Sequence, residues 1–214
     1  MPLPPESLDV LLFCAAALVA AWVFLPLLCM MLGLSWVRQT VVGGPEALEP
    51  AGDDPQYDDL FDRLRELGFG PLGARVEKGF FCNGHWFRAS PPGRVFATPN
   101  RDCFALLYRI FSGLPWRLCF TTVLADGTHV QTSNQMPNLR IEQEGYFRWG
   151  HPTPDLADLL RLHRGAVEDY RMARGLAVAA PDLHDYCATA ARHSQEYLRS
   201  KGPGLGGQGL LTPL

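Results

Sequence analysis

The chain has 214 residues, a formal charge of −3 and 47% hydrophobic residues, enough for one ordinary domain and an additional apolar segment. Between residues 53 and 201 eighteen Lys and Arg balance eighteen Asp and Glu. Net charge therefore gives this part no reason to bind nucleic acid or an anionic membrane face. Six cysteines without a CxxC pair or regular spacing argue against a disulfide framework and read as thiols acting as small hydrophobes.

Residues 1–9 form a short flank that carries Glu6 and Asp9 and no basic residue. Val10 to Val37 then run for 28 positions without Lys, Arg, Asp, Glu or His. About 20 predominantly apolar residues suffice for a helix to cross the hydrocarbon core. The acidic start, the length of the run and its bulky end distinguish it from a cleaved signal peptide. Residues 10–37 are therefore expected to be a single transmembrane anchor, with Trp36 at the interface. The only basic residue near the segment is Arg38 on its C-terminal side, which places the domain on the cytoplasmic side of an inner or plasma membrane. Of the 19 basic residues only Lys78 and Lys201 are lysines; with abundant Ala, Gly and Pro this suits GC-rich coding in a bacterial-like chain.

Residues 38–52 are rich in Gly, Pro and Ala and read as a flexible linker. A soluble α+β domain over 53–201 follows. Asp54 is a natural N-cap, Pro55 suits the first helical position, and Leu60, Phe61, Leu64 and Leu67 form a stripe that Gly68 closes. From Phe69 to Trp149 aromatic and β-branched residues alternate with polar ones between recurrent turn residues. Strands are expected over 74–81, 86–89, 94–98, 104–111, 116–124, 128–133 and 146–149. Short turns between consecutive strands imply an antiparallel meander of five to seven strands. Asp126-Gly127 is a two-residue hairpin signal that would pair Leu124 with His129, Val123 with Val130 and Thr121 with Thr132. Val123 and Val130 would then share the core face with Cys119.

Thr153 and Pro154 open a helix ended by Gly175, and Pro181 opens a last helix ended by Gly202. Both are expected to pack on one face of the sheet. Residues 202–214 are Gly-rich and read as a disordered tail.

Chemical motifs are sparse. There is no GxSxG, HExxH, GxGxxG or GxxxxGK[ST]. Cys82 and His85 have the spacing of two metal ligands, but zinc needs three or four; they are also the pair around which a thiol or hydrolytic enzyme would be built. Glu142 and Glu144 read as a solvated loop. No cofactor or metal is expected. The aromatic density of the sheet region is the remaining signal. Trp86, Tyr108, Trp116, Phe120, Tyr146 and Trp149 are the residues that would line a pocket between sheet and C-terminal helices. The expected function is a membrane-anchored, non-catalytic binding or interaction module with a protein partner. The alternatives are a domain that holds an apolar small molecule or a lipid in that pocket, and an enzyme built on Cys82 and His85.

Overall fold

The computed structural model describes residues 10–21, 24, 36–50, 52–82, 85–89, 91–109, 113–134, 140–143 and 145–200, with backbone alone at 36, 80–82, 85–89, 143 and 197–200. The expected flank (1–9) and tail (202–214) lie outside these residues, as do residues 22, 23 and 25–35 of the expected anchor (10–37). The chain divides into two compact units.

One unit comprises Met1–Trp36, Gly79–Arg88 and Gln195–Leu214. Its described parts include a helix over residues 10–21, α1, and a strand pair. The pair is formed by the end of β2 (Gly70–Cys82) and β3 (His85–Ala89). Among the described residues no helix is long and apolar enough to cross a membrane. Trp36 and Val37 already belong to strand β1 (Trp36–Gly43), so any membrane helix ends before the expected boundary.

The other unit, Val37–Lys78 with Ala89–Ser194, is α+β. The expected linker proves to be structured: most of it is β1 and a 3-10 helix (Pro45–Leu48). Leu48 is fully buried and its carbonyl accepts a hydrogen bond from the Tyr57 hydroxyl. The segment WVRQTVV carries the alternation of a strand, but it is contiguous with the long apolar run and reads as its continuation. Close approach of β1 to β2 requires Gly73, where a Cβ would lie 2.6 Å from the Gly43 carbonyl oxygen.

Helix α2 (Pro55–Glu66) forms as its signals dictate. Asp54 caps it by accepting from Tyr57 N at 3.2 Å. At the other end Gly68 (φ +87) permits the paired bonds Phe69 N to Leu64 O and Gly68 N to Arg65 O, both 2.9 Å. The Asp54 carboxylate also accepts from Trp116 Nε1 at 2.8 Å and pairs with Arg109 at 2.6 Å.

The sheet strands continue as β4 (Gly93–Ala97), β5 (Phe104–Tyr108), β6 (Arg117–Val123), β7 (His129–Ser133), β8 (Arg140–Gln143) and β9 (Tyr146–Gly150). The spatial order is β1-β2-β4-β5-β6-β7-β9-β8. Neighbours from β2 through β7 are antiparallel, but β9 lies parallel to β7. The meander expectation is corrected here. The β8–β9 hairpin turns at Gly145 (φ +73) and inserts its second strand against β7, leaving β8 outermost. The connection over 134–145 is long enough for a parallel crossover. Residues Arg140 and Glu142, the polar stretch read as loop, form this edge strand, exposed and ion-paired at 3.2 Å.

The 126–127 hairpin forms one register away from expectation. The pairs are Val123↔His129, Thr122↔Val130 and Thr121↔Gln131. Leu124 bonds Thr128 and Gly127 in turn (2.8 Å each), making a three-residue loop with Gly127 at φ +83. A one-residue slip sends each side chain on one strand to the other face. Val123 therefore packs with Leu183, Tyr186 and Cys187, while Val130 packs with Phe147, Val167 and Tyr170. They do not share a face.

Helices cover both faces of the sheet, not one. Helix α3 (Leu156–Arg174) starts two residues later than expected, with Asp155 as cap through Ala157 N at 2.8 Å. On one face α2 and α3 bury Phe96, Ala105, Leu107, Leu118 and Phe120. Helix α4 (Leu183–Ser200), capped by Asp182 through Asp185 N at 2.8 Å, covers Val95, Ala97, Phe104 and Leu106 on the other. Two-sided burial explains the near-continuous apolar runs of β5 and β6. The resulting strand at 104–108 settles FALLY as strand.

Candidate functional site

Away from its contact with Val95, Phe104 and Leu106, the α4-facing side of the sheet is polar. Strand alternation places Arg75 and Glu77 of β2, Tyr108 of β5, Arg117, Cys119 and Thr121 of β6, His129, Gln131 and Ser133 of β7, and Tyr146 and Arg148 of β9 on this side. Three cross-strand rows organise it. Leu106, Cys119 and Ser133 are register neighbours; so are Phe104, Thr121, Gln131 and Arg148; and so are Val123, His129 and Tyr146.

Arg148 Nη2 donates to the Tyr108 hydroxyl at 3.2 Å, although β7 and β6 lie between their strands. Three strand spacings are about 14 Å, a span these two side chains close only by lying along the sheet. The Tyr146 hydroxyl donates to Gln131 Oε1 at 2.8 Å. From α4, the Tyr186 ring is clamped between Phe104 (centroids 4.6 Å, 18°) and His129 (5.8 Å, 12°). The Arg75 guanidinium lies 5.7 Å from the same ring. His193 extends the cluster, with its ring 5.0 Å from His129 and Nε2 2.8 Å from the Gly127 carbonyl oxygen.

Burial keeps Cys119, Tyr146 and Tyr186 protonated at neutral pH. Burial pushes the Cys119 thiol up, against the pull of the Arg148 and Arg75 charges. Burial also raises Tyr146, and raises Tyr186 to about 12. Burial opposes the Arg148 charge, and the Tyr108 hydroxyl that accepts from it favours the cation. His129 is neutral, driven down to about 3 by burial and then by His193 and Arg75.

Several polar atoms here have no hydrogen-bond partner among the described residues. They include Arg75 Nη1, Arg148 Nε, both ring nitrogens of His129 and the Tyr186 hydroxyl, all buried. Nor does either guanidinium form an ion pair there; the arginines that do are 63, 109, 140, 161 and 171. A buried guanidinium nitrogen without a partner is costly unless something else compensates it.

The expected pocket residues separate. Tyr108 and Tyr146 belong to this layer. Trp116 lies on the opposite side against Tyr57 (centroids 5.3 Å), Phe120 packs with Phe69 there, and Trp149 packs beside Phe147. Trp86 is in β3; its side chain lies outside the described ones, as do those of Cys82, the last residue of β2, and His85, the first of β3. Among the described residues no three His, Cys, Asp or Glu side chains gather as a metal site. Sequence reasoning missed Arg75, His129, Arg148 and Tyr186. The Tyr-Phe-Arg-Trp alternation of β9 already assigns Tyr146 and Arg148 to one face and Phe147 and Trp149 to the other, so that part was legible.

No protein-family model matches the chain, and no curated protein or solved structure is significantly similar to it. The chemistry of the layer must therefore speak for itself. A thiol held protonated is a poor nucleophile, and phenols held far above neutrality act as hydrogen-bond donors. With fixed cations beside them, these groups are chemically suited to an electron-rich ligand.

Proposed function

We propose that the chain is a membrane-anchored, non-catalytic binding module whose ligand engages the α4-facing layer of the sheet. The observation that carries this reading is the pair Arg75 and Arg148, each with one buried guanidinium nitrogen that has no partner among the described residues, beside the protonated Tyr146. Such a layer suits a polar, negatively charged ligand better than the apolar molecule that the aromatic content alone implies. The anchor rests on the uncharged run over 10–37. Its described portion supports that assignment, since Phe13 and Leu18 of α1 are 75% and 71% exposed. The location at an inner or plasma membrane, with the domain on the cytoplasmic side, follows from the same run and from Arg38.

Native mass spectrometry of the full chain in detergent tests the binding reading. The expected result is an anionic molecule, released on denaturation and absent from Arg148→Gln. An apolar occupant retained by Arg148→Gln would replace this reading with the apolar-ligand one. Extraction of membranes with alkaline carbonate tests the anchor: the chain is expected to stay with the lipid, and release into the supernatant would overturn it.

A further inference from the structure

We infer that the hairpin of β2 and β3 is a second membrane contact, its end lying in the interfacial layer of the bilayer beside the point where the anchor leaves it. This placement rests on the reading of the uncharged N-terminal run as a membrane anchor, and it adds a surface that no part of that run supplies.

Strand register places the hairpin. A Cβ on Gly73 would lie 2.6 Å from the Gly43 carbonyl oxygen, and Gln39 Nε2 donates to Glu77 Oε2 at 3.1 Å. Four residues back along β1 thus correspond to four residues forward along β2. The two strands are therefore antiparallel, and Trp36, the first residue of β1, falls level with Phe80. The end of β2 and its connection to β3 continue beyond that level, on the N-terminal side of β1. At about 3.3 Å per residue this carries the connection about 10 Å past Trp36. Met1–Trp36 and Gly79–Arg88 belong to the same compact unit, which also holds α1. A hairpin has open edges whose backbone groups would go unpaired in hydrocarbon, so its end stops in the hydrated interfacial layer.

Composition selects the bilayer as occupant. Residues 79–87 contain no Lys, Arg, Asp or Glu, and Phe80, Phe81, Trp86 and Phe87 make up four of the nine. Lys78 and Arg88 bracket this stretch. Aromatic residues collect at the lipid–water boundary, where flanking Lys and Arg reach the headgroups. The nearest acids along the chain are Glu77, engaged by Gln39, and Asp102. In the rest of the unit Glu6, Asp9 and Glu196 balance Arg88, Arg199 and Lys201. Attraction to anionic lipid is therefore not the driving force; partitioning of the aromatic residues is. The sheet also leaves the hairpin in need of a surface. Arg75 is the last residue of β2 paired with β4, and beyond it the partners of β2 among the described strands are β1 and β3. A ribbon of two or three strands is marginal in water unless it packs on something, and the bilayer supplies that face.

Tryptophan quenching in phosphatidylcholine vesicles that hold the full chain is the test, with bromine on the lipid acyl chains as quencher. The emission of Trp86 is read as the difference between wild type and Trp86→Phe. It is expected to lose most of its intensity in brominated lipid, and to lose as much when phosphatidylglycerol is mixed in. The double variant Phe81→Ser, Phe87→Ser, with circular dichroism like that of wild type, is expected to relieve the quenching while alkaline carbonate still leaves the chain with the lipid. Unquenched Trp86 in a wild-type chain that resists carbonate would overturn the hairpin contact and leave the anchor standing, the hairpin then facing water or a protein. Release of the wild-type chain by carbonate would overturn both. Quenching that requires phosphatidylglycerol would overturn aromatic partitioning as the cause, and quenching undiminished in the double variant would overturn the part given to Phe81 and Phe87.

Discussion

Nδ1 of His163 lies 3.0 Å from the hydroxyl oxygen of Thr132, across the space between α3 and β7. On the far side of the ring Nε2 is 3.0 Å from Thr122 Oγ1, which itself donates to the Asp102 carbonyl at 3.0 Å. The Thr122 hydrogen is thus committed, so Nε2 carries the imidazole proton and Nδ1 accepts from Thr132. The imidazole is neutral and fully satisfied, and it serves the fold by joining the helix to two strands.

This arrangement makes the fold acid-sensitive. Burial drives His163 to about 3, and His129 likewise. Both folded values lie below the ordinary 6.5, so between the two the unfolded chain binds more protons than the folded one. Stability is therefore full above pH 6.5 and falls as the pH drops through the range down to 3. At pH 5 the loss is about 2 kcal/mol for each histidine. Urea midpoints at pH 7.5 and pH 5.0 measure it directly. In His163→Ala the stability at pH 7.5 drops by about 2–4 kcal/mol from the orphaned hydroxyls and the lost packing, and roughly half of the pH dependence disappears. A variant with undiminished pH dependence would contradict the assignment of His163.

Asp54 joins the start of α2 to the loop before β6. Asp54→Ala removes the cap, the acceptor for Trp116 Nε1 and the partner of Arg109 together. A loss of about 2–4 kcal/mol is expected in chemical denaturation. Burial raises the Asp54 pKa, but the Trp116 and Tyr57 hydrogen bonds and the Arg109 charge outweigh it, so the net shift is downward. Its contribution is thus present above the ordinary carboxyl value and is lost as the pH falls through the lowered one. Asp54→Asn isolates the charge: it should flatten stability below pH 4 relative to wild type.

Gly73 is where β1, β2 and α4 meet. A methyl group there would lie 2.6 Å from both the Gly43 carbonyl oxygen and Leu183 Cδ2. Overpacking of this kind costs about 1–3 kcal/mol. Gly73→Ala should accordingly lower the urea midpoint, and amide exchange should accelerate first in β1 and the start of α4. Uniform acceleration across the sheet would show that the strain is shared, not local.

The buried thiols report on unfolding. Cys103, Cys119 and Cys187 are buried and free, and burial pushes Cys103 to about 12. Under native conditions iodoacetamide should leave these three unmodified, and all three should react in denaturant. Rapid native labelling of Cys119 would disprove the protonated, enclosed state assigned to it.

Much of the fold was readable where a local signal and the tertiary demand agree. Asp54, Pro55 and Gly68 bound α2 because caps act through near neighbours. The failures are of three physical kinds. The strand β1 follows directly on an apolar run whose length dominates any reading of 36–43. The strand β8 has no hydrophobic alternation, since an edge strand beside β9 needs none. The hairpin register depends on whether Gly127 extends the loop by one residue, a choice of turn geometry that Asp-Gly alone does not make. In the candidate site Tyr108 and Tyr146 stood out as aromatics. Arg75 and Arg148 did not, because an arginine in an arginine-rich chain carries no signal until the sheet lays both beside Cys119.

The placement of β9 between β7 and β8 has a cost during synthesis. A nascent chain that has emerged as far as Ser133 presents β7 as an open flank, with its backbone donors and acceptors unpaired. At about 5–20 residues per second the partner strand is complete only about one to three seconds later. During that interval the growing chain offers a template to any neighbouring strand. The charged β8, which emerges before β9, becomes the outer edge once β9 has docked. Substitutions that weaken the Gly145 turn should therefore reduce the yield of folded chain from the ribosome far more than they reduce the stability of the molecules that succeed.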